Sequence, residues 1–515
     1  MNTQTKLLAL GLSLLIAPFL PAAQDKAPDI PDAAKVELLR IEETYHVLDQ
    51  AAARVWPGWT DYKDYPFLLN FENGLRVLVG HPSPPEGFVP VPGLAVAGKA
   101  VHADMRNVEP LKLEQPLTGG GGISNYGTFN GKPVQTVNMS LRRFKPNVET
   151  SGERYRTEEQ ILIYIHELFH CFQDEHVQVP YPNFRYNPDT AFASFSEVEG
   201  AALEKAYKAA DDAEAKRCLA DFLAARDLKR KDVEESDRRA ESGDDVSEGT
   251  AVYSEVRTLE TIKAGFKPAL APALDPYYGG FRDVDEFLGR YRERLAKTKA
   301  ATFNYLKCYE YGCFQALLLQ RLFPGWQEAF AAGPALLDEE IRKRIPAADE
   351  AQALKRFEDV YGFAAIQERH RKAVEERDAA YRMITAREGR AYIISLKPIR
   401  QFLSGLEDKS KKSWSVGLMQ IFPDGVGPVA FDDVEFGGTG VPTEGNQLYY
   451  LKIVDTDWKT RDKPYTLTYE KKEGEEVFFN AVLTTPLFTL KAPKIRISDS
   501  ERRVKIWILA RVKSS

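Results

Sequence analysis

The spacing of apolar positions changes period several times along the chain, and each change predicts a different element. A continuous apolar run from Leu7 to Phe19 follows a single cation, Lys6, and gives way to Ala22, Ala23 and polar Gln24. That order is the signature of a secretory signal peptide, so residues 1–23 are expected to be removed on export to the periplasm or outside the cell. The run is too short to span a bilayer, and no cysteine lies near the expected cleavage point to carry a lipid anchor. From Asp32 to Val55 the period becomes helical: Val36, Leu39, Tyr45, Leu48, Ala52 and Val55 recur on one face, with Asp32 placed to cap the start and Pro57 just past the end.

Strand-like patterns come next. Phe67 to Glu72 and Leu75 to Val79 flank Asn73-Gly74, the strongest short hairpin signal. Gly119 to Gly122 reads as a flexible loop and Val134 to Leu141 as a further strand. From Thr157 to about Gly389, stretches rich in Ala, Leu, Glu, Lys and Arg predict long helices, and the charge run Lys229 to Asp245 reads as a solvated helix face. Beyond residue 390 the pattern shortens to β-branched and aromatic stretches: Trp414 to Phe422, Gln447 to Val454, Tyr465 to Tyr469, Val477 to Leu483, Lys494 to Ile497 and Val504 to Val512. Turn residues separate them at sandwich-like spacing. The expected fold class is α+β and multidomain, with a mixed α/β segment at 24–155, a mainly helical domain at 156–389 and an antiparallel β-sandwich at 390–515. No long repeat makes the helical part a solenoid.

Composition narrows the function by exclusion. With 69 basic against 75 acidic side chains, well mixed along 515 residues, nothing points to nucleic acid or to an anionic membrane surface. Four cysteines are too few for a disulfide scaffold of this length. Cys308 and Cys313 fall on different helix faces and Cys171 abuts the histidine motif, so all four are expected to be unpaired.

The chemistry concentrates in one predicted helix. Thr157-Glu-Glu-Gln160 has the form of a capping box, and the apolar run Ile161 to Ile165 leads from it into His166-Glu167-Leu168-Phe169-His170. Two histidines four apart lie one turn from each other on one face, where both imidazoles reach a single metal ion. Zinc suits them, since it takes imidazole nitrogen and in catalytic sites keeps a position open for a water whose pKa it lowers to about 7. Glu167, beside the first ligand, would take that proton and pass it to the leaving group. With seven histidines in the chain, this pattern arises by chance in roughly one such sequence in a hundred.

Three residues compete for the third ligand. His176 has the spacing of the long three-histidine zinc motif, but Gln173 stands where that motif has the glycine of a sharp turn. Glu199 and Glu248 each precede a glycine in a helix-like segment, and the glycine, with Ala251 in the second case, would let that helix approach the metal helix. Glu248 is preferred and Glu199 is the alternative; the other would orient a ligand histidine or sit on a helix face.

His166-Glu167-Leu168-Phe169-His170 followed by Glu248-Gly249-Thr250-Ala251-Val252-Tyr253 resembles the gluzincin metallopeptidases, over perhaps 100 residues. The resemblance implies a zincin-like catalytic domain with one zinc on His166, His170 and Glu248, Glu167 as general base, and a peptide or protein substrate. The 77 residues between His170 and Glu248 exceed the spacing in aminopeptidase-like members, to which the 28 before Glu199 are nearer. A donor for the oxyanion of the tetrahedral intermediate is also required; Tyr253, Tyr309 and Tyr311 are the candidates. Val134 to Leu141 offers a strand edge for an extended substrate. Two other functions fit the same residues. One is a non-catalytic zinc-stabilised envelope scaffold, which would close the site with a fourth protein ligand and have no use for Glu167; the other is a zinc hydrolase of non-peptide amides or esters.

Overall fold

The protein is described from a computed structural model, which covers residues 30–395 apart from 107, 109–116, 144–155, 178–188, 264, 270–273, 297–306, 347 and 386–389, and strand segments between 426 and 508. The signal-peptide segment and the strand expected at Trp414 to Phe422 lie outside the described residues.

Helix α1 spans Asp32–Val55, as its periodicity predicts, but Pro31 occupies the cap position. Its buried surface is wider than one apolar stripe and includes Glu37, Arg40 and Glu43, because the helix packs on later helices as well as the sheet. Strands β1 (Phe67–Phe71), β2 (Arg76–Val79), β3 (Val89–Val96), β4 (Lys99–Asp104), β5 (Leu117–Phe129) and β6 (Lys132–Arg143) form one sheet in the order β3-β4-β2-β1-β6-β5. All neighbours are antiparallel except β1 and β6. The β1–β2 turn is the expected hairpin, with Asn73 Oδ1 accepting from the Leu75 N–H at 3.3 Å and Gly74 at φ +88°.

Gly119 to Gly122 correct the sequence reading: they are not a loop but part of β5, the edge strand, in register with Leu141 to Asn138. A Cβ at Gly119 would sit 2.0 Å from the Ser140 carbonyl oxygen and one at Gly121 2.3 Å from Met139 Sδ. Glycine lets the edge close on β6 where a side chain would collide. Val134 to Leu141 is accordingly internal, between β1 and β5, and offers no edge.

Helices α2 (Thr157–His176), α3 (Thr190–Lys208), α4 (Asp212–Lys229), α5 (Glu235–Ile262), α6 (Val284–Ala296), α7 (Lys307–Leu322), α8 (Glu328–Ala331), α9 (Leu337–Arg342), α10 (Glu350–Tyr361) and α11 (Phe363–Thr385) follow. One cluster of buried side chains joins Tyr45 of α1, Phe67 and Val137 of the sheet, Ile165 and Phe169 of α2, Val252 of α5 and Phe314 of α7. The sheet and the helices bearing the histidine motif thus share a core. Phe169, packed at 5.0 Å from Trp59, shows the scale: truncating so buried an aromatic costs about 3–5 kcal/mol.

The capping box does not form. Thr157 is already helical, and its hydroxyl donates to Asp275 Oδ2 at 2.6 Å, while Gln160 Oε1 accepts from the Gly119 N–H at 3.1 Å. Partners distant in sequence replace the local pair, tying the start of α2 to β5 and to Asp275. The run Lys229 to Asp245 is solvated only in its middle, where Asp232, Glu234 and Glu235 are exposed; at its ends Lys229, Arg230 and Asp245 are buried, because α3, α4, α5 and α9 meet there through opposite charges.

The C-terminal strands β7 (Arg390–Ser395), β8 (Val426–Phe431), β9 (Val434–Gly438), β10 (Val441–Thr443), β11 (Tyr450–Asp455), β12 (Thr466–Lys471), β13 (Phe478–Thr484), β14 (Thr489–Ser500) and β15 (Arg503–Ile508) join in one hydrogen-bonded sheet. Its order is β10-β11-β7-β15-β14-β13-β12, with β8 and β9 attached through β14. Pairing is antiparallel except between β15 and β7. Among the described residues no helix is long and apolar enough to cross a membrane.

Candidate metal centre

Helix α2 presents His166 and His170 on one face, and α5 crosses it so that Glu248 faces both. The Nε2 atoms of His166 and His170 each lie 3.4 Å from the same oxygen, Glu248 Oε2. One donor atom from each of these three residues falls within 4.8 Å of the other two.

The outer nitrogens are held by partners that set their protons. His166 Nδ1 lies 2.8 Å from Glu255 Oε1, two turns beyond Glu248 on α5, and donates to that carboxylate. His170 Nδ1 lies 2.7 Å from Gln173 Oε1. The Gln173 amide nitrogen donates to the carbonyls of Val246 and Ser247 and to Thr250 Oγ1, at 3.2, 2.9 and 2.7 Å, which turns its oxygen toward His170. Both Nε2 atoms are thereby directed at Glu248, as in metal-binding histidines whose second nitrogen is tied back.

The electrostatics agree. Burial opposes ionisation of Glu248, but its two imidazole neighbours outweigh it and hold the carboxyl well below its usual range. Burial likewise disfavours a cationic His166, yet Glu248 and Glu255 raise its pKa well above the ordinary value. Positive charge between these groups is stabilised. One turn before Glu248, Asp244 is pushed up to about 8 by its own burial and by Asp245, Glu248 and Glu241. Glu167, next to His166, is buried and its Oε2 has no hydrogen-bond partner among the described residues. Two neutral imidazoles and a carboxylate are a donor set that zinc takes, and an acceptor without a partner beside it is what a base awaiting a proton requires.

The structure separates the other candidates from this centre. Glu199 is fully buried but turned toward Arg226 Nε at 2.9 Å and Lys229 Nζ, so its charge is matched elsewhere. His176 points outward at the end of α2, its Nε2 2.8 Å from Asp61. Gln173, in place of the turn-forming glycine, lets α2 continue straight past His170. Tyr253 is buried in an aromatic cluster with Trp56 and Trp326, its hydroxyl donating to Gln320 Oε1 at 3.1 Å. Tyr311 donates to the Ser196 carbonyl. Tyr309 is the tyrosine at the centre, its ring stacked on that of His166 at 5.9 Å.

The glycines act differently from expectation. A Cβ on Gly249 would meet Gly312 Cα of α7 at 2.2 Å, and one on Gly200 would meet the Leu295 carbonyl oxygen at 2.4 Å. Gly249 therefore brings α7, with Tyr309 in its first turn, against α5; it does not bring α5 against α2. Sequence reasoning missed Glu255, Gln173 and Asp244. Their signal was spacing: seven and four residues from Glu248 and three from His170, all helical neighbours. The four cysteines are buried, and none forms a disulfide among the described residues.

Comparison of the chain with protein-family models, with curated proteins and with solved structures finds no match.

Proposed function

We propose that the protein is an exported zinc-dependent peptidase of the gluzincin type, with zinc held by His166, His170 and Glu248. The observation that carries this reading is the shared 3.4 Å approach of both Nε2 atoms to one Glu248 oxygen, with the partnerless carboxylate oxygen of Glu167 beside it. A zinc ion there supplies Lewis acidity, polarising the scissile carbonyl and acidifying water. Glu167 takes the proton from water and returns it to the leaving nitrogen. Glu255 and Gln173 keep the two imidazoles in the ligating tautomer and orientation. Tyr309, rather than Tyr253, is placed to donate to the developing oxyanion, and the edge of β5, tied to α2 through Gly119 and Gln160, suits main-chain pairing with an extended peptide. The same reading takes the sheet and helices as a zincin-like catalytic unit and the C-terminal strands as a separate β-sandwich domain. Among the described residues the donor group has three members, which leaves room for a reactant rather than closing the site as a structural zinc would.

The test is elemental analysis of the chain from residue 25, alongside casein hydrolysis. One zinc per chain is expected in the wild type. Glu167→Gln should keep the metal and lose roughly 10²–10⁴-fold in kcat/KM, while Glu248→Ala should lose the metal. A wild type that takes up no zinc on reconstitution overturns the proposal.

A further inference from the structure

The surroundings of the candidate metal centre are chemically unequal along α2 and α5. The direction of α5 against α2 follows from the contacts: His166 is level with Glu255, and Gln173 with Val246 and Ser247, so the helices run antiparallel. The turn after His170 and the turn before Glu248 therefore lie at the same end. Asp174 stands on the first and Asp244 on the second. Asp174 is exposed and accepts from Gln135 Nε2 of β6 at 2.6 Å.

Asp244 differs from the other buried acids. It is 7% exposed, and no hydrogen bond or ion pair reaches its carboxylate among the described residues. The stripe it belongs to keeps some exposure: along this stretch of α5 Ser247 keeps 8% and the Glu248 side chain 18%, whereas Val246 and Thr250 are at 0%. Residues 244, 247 and 248 form one stripe at helical spacing, the stripe that carries the proposed metal ligand. A buried carboxylate without a counter-charge is costly, and such groups are ordinarily paired. The neighbouring Asp245 shows the ordinary case, lying 2.8 Å from Arg226.

We propose that Asp244, one turn before Glu248 on α5, is a substrate-recognition residue that takes a cationic group of the peptide beside the proposed metal ligands. This deepens the peptidase reading and rests on it. The ammonium has two possible sources, the free N-terminus of a peptide or a lysine side chain, which share the same chemistry. Binding it completes Asp244 with charge-assisted hydrogen bonds and fixes the peptide's position relative to His166, His170 and Glu248.

The experiment uses the zinc-loaded mature chain carrying Glu167→Gln, so that peptides bind without turnover, and compares it with the same protein also carrying Asp244→Asn. Calorimetry gives Kd for four hexapeptides: one with a free N-terminus and no basic residue, its N-acetylated form, an acetylated form with one lysine, and the same with glutamine for that lysine. A cationic probe should bind about 10- to 100-fold more tightly than its neutral counterpart. Asp244→Asn should abolish that preference while leaving metal content and the neutral peptides' Kd unchanged. The acetylated and glutamine probes tell the N-terminal ammonium from the lysine. Asp244, pushed up to about 8, is mainly protonated at neutral pH in the unliganded protein, so the isosteric asparagine should leave the melting temperature near that of the parent and misfolding is recognised separately. No preference in the parent, a preference that survives Asp244→Asn, or an equal loss for all four peptides overturns the assignment. If the wild type cleaves no peptide but the Asp244-dependent preference is present, the peptidase reading falls and the cation site stands.

Discussion

Helix α5 carries acids on two sides, and the fold treats them in opposite ways. Glu241 and Asp245 look into the contact with α3, α4 and α9, where Arg226, Lys229, Arg230, Glu199 and Asp338 interlock so that each carboxylate meets a guanidinium or ammonium. Glu248 and Glu255 look toward α2, where the cationic candidates are two imidazoles, both with their outer nitrogens already held. In the first region every carboxylate has a cationic partner among the surrounding side chains. The second keeps a field that favours a cation from solution. This difference separates Glu199 from Glu248, two glutamates with the same local sequence context: Glu199 has its counter-charges and Glu248 does not.

Exchanging the fate of the two glutamates gives the largest effect. Glu199→Ala takes from Arg226 and Lys229 the carboxylate they share in a dry interior, and should lower unfolding free energy by about 3–5 kcal/mol in denaturant titrations while zinc content stays at that of the wild type. Loss of zinc from a folded Glu199→Ala protein would break the comparison. A smaller effect is expected at Glu255, which acts on the metal only through His166: Glu255→Gln should weaken zinc binding about 10- to 100-fold in competition with a chelator, with zinc still bound at saturation. Unchanged affinity would make Glu255 a packing residue only.

The smallest effect concerns acid stability. Burial would raise the Asp338 carboxyl above its ordinary 3.8, but Arg230 and Arg226 outweigh burial and hold it at about 2. A carboxyl depressed on folding stabilises the protein fully above its unfolded pKa and loses that contribution as pH falls through its folded one. The stability gap between wild type and Asp338→Asn should therefore be constant above pH 4 and narrow between about 4 and 2, by at most about 1.4 kcal/mol per pH unit. A gap that widens on acidification would mean that the ionised Asp338 is not what the network needs.

Much of the local structure was legible. Periodicity placed α1 and α2, and Asn73-Gly74 placed the β1–β2 hairpin, because helical amphipathicity and turn chemistry are decided within a few residues. His166, Glu167 and His170 were legible for the same reason, since one helix fixes their relation. The failures have a common cause. Thr157 and Gln160 read as a cap, and Gly119 to Gly122 as a loop, until partners in other elements claimed them. The tyrosines were equivalent by sequence, and only packing put Tyr253 among tryptophans and Tyr309 on His166.

The sequence by itself determined that a two-histidine helix with an adjacent glutamate exists and that another acid must meet it. Which acid, and what surrounds it, was decided by tertiary structure, because the choice depends on where the cations are. Arg226, Lys229 and Arg230 lie close together on α4, and nothing in their order along the chain says that α4 faces Glu199 and Asp245 while leaving Glu248 to α2. Counter-charge acts through space at a few ångströms, and only the packing of helices sets those distances.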